Sequence, residues 1–77
     1  MLVTAFVLVN VEIGSEMEVL GDLRSIPEIK EVYRVYGVYD IIAIVEASTM
    51  QGLKDVVSFK VWGLDKVHST MTMIVVW

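Results

Sequence analysis

The chain has 77 residues, enough for one domain (1–77), a net charge of −4 and no cysteine. Its acidic balance, with no two basic residues adjacent, argues against a nucleic-acid surface, and the missing thiols exclude disulfides, iron–sulfur clusters and thiol chemistry. Hydrophobic residues make up 56% of the chain, above the roughly 45–50% usual for soluble domains, although a domain this small buries only about 60% of its unfolded surface.

That excess needs a place. The longest apolar runs are Met1–Val9, interrupted by Thr4, and Ile41–Val45, bounded by Asp40 and Glu46. Neither approaches the roughly 20 residues of a spanning helix. No basic residue precedes the first run and no small-residue cleavage site follows it, so no signal peptide is expected. The expectation is a cytoplasmic protein with no membrane partner, compatible with its lack of cysteine. A subunit interface is then the remaining place for the apolar surface.

Leu2–Ile13 is rich in Val and predicts a strand. Val3, Ala5, Val7, Val9 and Val11 form a wholly apolar face, assigned to helix cover, with Thr4, Phe6, Leu8, Asn10 and Glu12 opposite. Ser15 with Glu18 predicts a capping box, and Val19, Leu20, Leu23 and Ile26 fall at helical spacing before the stop at Pro27. Ile29–Tyr36 alternates and carries several charges, which predicts an edge strand. A turn at Gly37-Val38 then leads into a returning strand, Tyr39–Ala47, closing a hairpin. Ser48 with Gln51 repeats the capping pattern before a second helix lined by Leu53, Val56, Val57 and Val61, with Gly63 as terminator. The last strand spans roughly Val67–Val76, its two faces being His68, Thr70, Thr72, Ile74 and Val76 against Ser69, Met71, Met73, Val75 and Trp77.

The order β-α-β-β-α-β predicts an α+β, ferredoxin-like sandwich. Both helices should cover one face of a four-stranded antiparallel sheet, because each half crosses over right-handed. The other face stays open and is expected to collect Phe6, Leu8, Ile42, Ile44, Ile74 and Val76, beside Thr4, Asn10, Asp40, His68, Thr70 and Thr72. Such an apolar patch predicts a second copy packed sheet to sheet.

Asp40 stands where an apolar strand begins. It is either a counter-ion for an amine or a carboxylate accepting turn N–H bonds. Gly37 suits a backbone shape other residues resist, or a close approach of ligand to main chain. Tyr33, Tyr36 and Tyr39 cluster at the same turn, as packing residues or as a pocket wall. Ser69, Thr70 and Thr72 line up hydroxyls on a strand where Thr is common anyway. His68 is the only histidine, a poor metal site without Cys or a second His, so no metal, cofactor or catalytic residue is assigned. Phosphate-loop, zinc-protease and nucleophile-elbow patterns do not occur in the sequence.

The segment Val35-Tyr36-Gly37-Val38-Tyr39-Asp40-Ile41-Ile42-Ala43, the ending Val67-His68-Ser69-Thr70-Met71-Thr72-Met73-Ile74-Val75-Val76 and Ile26-Pro27-Glu28 together resemble the effector domain of the Lrp/AsnC family of transcription regulators, the RAM domain. The family pattern is Gly, a variable residue, Tyr-Asp and an apolar strand, closed by a Thr-x-Thr strand. Full regulators carry an N-terminal helix-turn-helix domain, whereas this sequence opens on the first strand and looks like a stand-alone member. The resemblance implies sheet-to-sheet dimers that join into a ring such as an octamer or decamer, and amino-acid binding between dimers. It points to Tyr36, Gly37, Val38, Tyr39, Asp40, Ser69, Thr70 and Thr72 as ligand contacts. It also implies co-assembly with full-length regulators, with no direct contact to nucleic acid. Two other readings stand beside it: a small dimeric α/β-barrel enzyme of monooxygenase or isomerase type using Asn10, Asp40 and His68, and an assembly module without ligand.

Overall fold

The sheet is built on β1 (Val3–Val11), in which Ala5, Val7 and Val9 are fully buried. The structure, a computed structural model, describes residues 2–76, and Met1 and Trp77 lie outside them. After β1 come α1 (Glu16–Arg24), β2 (Ile29–Arg34), β3 (Ile41–Ala47), α2 (Met50–Asp55) and β4 (Val67–Ile74), in the βαββαβ order. The strands pair antiparallel in the order β2-β3-β1-β4, so β2 and β4 are the edges.

Alternation explains the core. Ala5, Val7 and Val9 of β1 and Ile41, Ala43 and Val45 of β3 are fully buried, facing Val19, Leu20 and Leu23 of α1 and Leu53 of α2. α1 lies over β2 and β3, and α2 over β3 and β1. β4 receives little helix cover, and all of its eight residues but Val67 and Thr70 are exposed.

The helix caps differ from expectation. Ser15 caps α1 with its carbonyl, which accepts the Val19 amide at 3.0 Å, while its hydroxyl makes no capping bond. α2 is capped by Thr49 rather than Ser48, the Thr49 hydroxyl accepting the Gly52 amide at 2.9 Å. Ser and Thr are equivalent acceptors at this level, and the chain uses the one already in extended geometry (φ −136°, ψ 159°).

α2 continues into a π-helical turn, Val56–Val61, in which the Trp62 amide donates to the Val57 carbonyl five residues back at 3.0 Å. The wider turn places Val56 and Val61 in the core and ends at Gly63. A Cβ on Gly63 would stand 2.5 Å from the Phe59 carbonyl oxygen, a backbone atom that cannot swing away. Gly63→Ala is therefore expected to lose about 1–3 kcal/mol, as overpacked sites do. An unchanged thermal midpoint would show that the turn relaxes freely.

The open face carries rows of side chains fixed by register. Tyr33, Ile42, Leu8 and Met71 form one row, and Glu31, Ile44, Phe6 and Met73 the next. Met71 and Met73 remain 48% and 45% exposed. The expected apolar patch is present, with one correction on β4. Thr70, Thr72 and Ile74 pair with Val9, Val7 and Ala5, so they share the helix side, whereas Ser69, Met71 and Met73 take the open face. Val76, expected there too, lies beyond the end of β4. Little helix cover lets hydroxyls occupy the inner side of this edge strand, and neither phase of β4 is then cleanly apolar.

Candidate functional site

Glycine sets the shape of the β2–β3 connection. Gly37 has φ +144°, and a Cβ there would touch nothing within 4 Å, so backbone conformation alone selects glycine. The connection is the six-residue loop Val35–Asp40, longer than the turn expected at Gly37-Val38. Tyr36 is fully exposed at its tip and Val38 nearly so. Among the described residues, the amides of Tyr36, Gly37, Val38 and Tyr39 donate to no protein acceptor outside regular structure.

Asp40 anchors the loop. Its carbonyl accepts the Val35 amide at 2.9 Å and its amide donates to the Val9 carbonyl at 3.0 Å. Its half-buried carboxylate accepts the Val11 amide through Oδ2 at 2.9 Å. Asp40 therefore gives the Val11 amide a side-chain acceptor just past the end of the β1–β3 ladder. This is the ordinary alternative for Asp40, and it leaves Oδ1 without a donor among the described residues. The carboxylate lies at the end of the β1–β3 ladder rather than free on the open face.

The same end of the sheet holds the last turn of β1 and the start of β4. Asn10 pairs with Ser69, and its Nδ2 donates to Ser69 Oγ at 3.3 Å on the open face. A bulge between Asn10 and Val11 leaves His68 as the extra, exposed residue of β4. The Lys66 ammonium sits 3.1 Å from the Glu12 carboxylate, and that hydrogen bond and its charge hold Glu12 below the usual carboxylate range. Trp62 Nε1 donates to Thr70 Oγ1 at 2.6 Å across the helix side, walling a shallow groove of about 270 Å³ with Val67, His68, Ser69 and Thr70.

The structure thus brings Asp40, Asn10 and Ser69 to one end of the sheet, turns Thr70 and Thr72 to the other face, and adds Trp62 to the wall. Trp62 carried no sequence signal, since its reach to Thr70 exists only once the π-turn forms. Asn10 and Asp40 bond Ser69 and Val11, and among the described residues neither is hydrogen-bonded to His68, the third residue of the enzyme reading.

The βαββαβ order, with both helices on one face of a four-stranded antiparallel sheet, is the ferredoxin-like sandwich. The family model described as the Lrp/AsnC ligand binding domain matches residues 4–76, and the chain belongs to that family. Its structure is similar to that of FFRP-DM1 (40% identity, 96% of this chain, 99% of that chain, TM-score 0.93). It is also similar to the hypothetical protein PHS023 from Pyrococcus horikoshii (39% identity, 100% of this chain, 92% of that chain, TM-score 0.91). Against E. coli AsnC the identity is 28% and the TM-score 0.92, over 97% of this chain and 51% of that one. The same fold occurs in the transcriptional regulator NMB0573/L-Met complex from Neisseria meningitidis (17% identity, 97% of this chain, 50% of that chain, TM-score 0.87). A comparison with curated proteins gives no match.

Proposed function

We propose that this chain is an amino-acid-binding, oligomerising regulatory module of the cytoplasm. The observation that carries the reading is the Gly37–Asp40 loop, where free amides stand beside a carboxylate with one oxygen uncommitted. A carboxylate and an ammonium, the two ends of an amino acid, are complementary to that pair. The amides of Gly37, Val38 and Tyr39 hold the ligand carboxylate and Asp40 Oδ1 faces its ammonium. Tyr36 and Tyr39 flank it, and Ser69, Thr70 and Thr72 are supplied by a neighbouring subunit.

Support comes from two sides. An amino acid is bound in the Neisseria regulator of the same fold. FFRP-DM1, covered to 99% by this chain, is a folded domain of matching length. In this account sheets pair through the Phe6, Leu8, Ile42 and Ile44 face into dimers, and dimers join into a ring. Ligand bound between dimers stabilises the ring by linkage, and co-assembly with full-length regulators passes that signal to their DNA binding. Calorimetry against the twenty amino acids tests the reading. One or a few should bind the wild type, and none should bind Asp40→Asn with comparable affinity. No heat with any amino acid would refute it.

A further inference from the structure

We infer that the groove between α2, its π-helical extension and β4 binds a small aliphatic monocarboxylate, with Lys54 taking the carboxylate. This goes beyond the amino-acid reading. The ligand carries no ammonium, and Thr72 is the one residue common to this groove and the contacts proposed above.

The groove comes from uneven helix cover. α2 lies over β3 and β1, and β4 stands beside it as a sheet edge. Between them is a hollow of about 290 Å³ lined by Leu53, Lys54, Val57, Ser58, Thr72 and Ile74. Leu53 is buried and Val57 half-buried, whereas Lys54, Ser58 and Thr72 are exposed, so the floor is aliphatic and the rim polar. A largely apolar hollow with a few polar groups is the usual make-up of a small-molecule site, and this one lies at the lower end of the roughly 300–1,000 Å³ such sites span. It suits a ligand of a few carbons rather than a cofactor.

Lys54 supplies the sign. Among the described residues, Lys60 pairs with Glu28, Lys66 pairs with Glu12 and Lys30 donates to the Pro27 carbonyl, whereas Lys54 has no ionic partner. Its neighbour in sequence, Asp55, accepts from Gln51 Nε2 at 2.9 Å. A lysine near a helix end ordinarily answers the unpaired carbonyls of the last turn. Here α2 runs on into the Val56–Val61 turn, and the Gly52 and Leu53 carbonyls accept the Val56 amide, so Lys54 has no helix end to answer.

Charge selects the occupant. No Asp or Glu lines the groove. A ligand ammonium would meet that of Lys54 and find no anion, so the site disfavours an amino acid and accepts the acid of the same skeleton. By contrast, the groove of about 430 Å³ at the start of α2 holds Glu28, Lys30 and Glu46 together and favours neither sign. The aliphatic tail lies on Leu53, Val57 and Ile74. The carboxylate accepts charge-assisted hydrogen bonds from Lys54 Nζ and from the hydroxyl of Ser58, four residues on and so on the same side of the helix. The carbon skeleton left when an aliphatic amino acid loses its amino group has this chemistry.

Saturation-transfer NMR with 4-methylpentanoate tests the assignment. Wild-type protein should saturate the methyl protons of the acid, and 4-methylpentan-1-ol, with the same tail and no charge, should bind about tenfold or more weakly. Lys54→Met keeps the aliphatic stem and removes the ammonium, and should weaken the acid by a similar factor, while Lys54→Arg restores it. Lys54 is exposed, so both variants should keep the wild-type circular dichroism. An excess of leucine should leave the signal in place. No saturation transfer, equal affinity in Lys54→Met and wild type, or displacement by leucine would overturn the proposal. Amino-acid calorimetry reads the Gly37–Asp40 loop independently, so a protein that binds the acid and no amino acid, or the reverse, separates the two readings.

Discussion

Replacing Ile44 by Asp is expected to dissociate the assembly to a species of lower mass without unfolding the domain. Ile44 sits in the row Glu31–Ile44–Phe6–Met73, half-buried on the open face, and contributes nothing to the core under the helices. A carboxylate there is solvated in the free subunit and stripped of water in a sheet-to-sheet dimer, at a cost of several kcal/mol. That is a loss of a thousandfold or more in association, since about 1.4 kcal/mol is a factor of ten. Glu46→Gln, on the same face at its polar end, is the control and should change mass little. Light scattering reads the result. An Ile44→Asp protein of wild-type mass would mean that the open face is not the interface.

The second large effect separates the two roles of Asp40. Asp40→Ala removes the acceptor of the Val11 amide, and an orphaned, part-buried donor of this kind costs about 1–3 kcal/mol. For a domain of this size about 1 kcal/mol shifts the thermal midpoint by roughly 4–8 °C, so a clear drop is expected. Asp40→Asn keeps an oxygen for Val11 and should stay close to the wild-type midpoint. It loses the charge that faces the ligand ammonium, worth about 1.5–3 kcal/mol in a charge-assisted bond, or a roughly ten- to hundredfold weaker Kd. A variant that keeps its stability and loses its ligand assigns Asp40 to binding; equal affinity for Asp40→Asn and wild type would leave Asp40 as a ladder cap alone.

The central strands were legible because each has one apolar face and one mixed face. Val3 to Val11 and Ile41 to Ala47 alternate as read, and their burial follows. β4 was not legible in phase. Its alternate sets, Thr70-Thr72-Ile74 and Ser69-Met71-Met73, each mix hydroxyl with apolar groups, so alternation alone does not say which faces the helices. Only pairing with β1, displaced by the bulge at Asn10, decides it. The Gly37–Asp40 turn was visible as a glycine followed by a carboxylate. The partner of that carboxylate was not, because the acceptor role of Asp40 depends on Val11, 29 positions away in the chain. The cap of α2 moved from Ser48 to Thr49 because adjacent hydroxyls compete and backbone geometry chooses between them.

Co-crystallisation with a mixture of amino acids tests the central claim most directly. The account predicts density for a zwitterion at the Gly37–Asp40 loop, its carboxylate on the amides of Gly37–Tyr39, its ammonium at Asp40 Oδ1, and the β4 hydroxyls of a neighbouring subunit closing the pocket. Density elsewhere on the chain, with that loop holding only solvent, would contradict it.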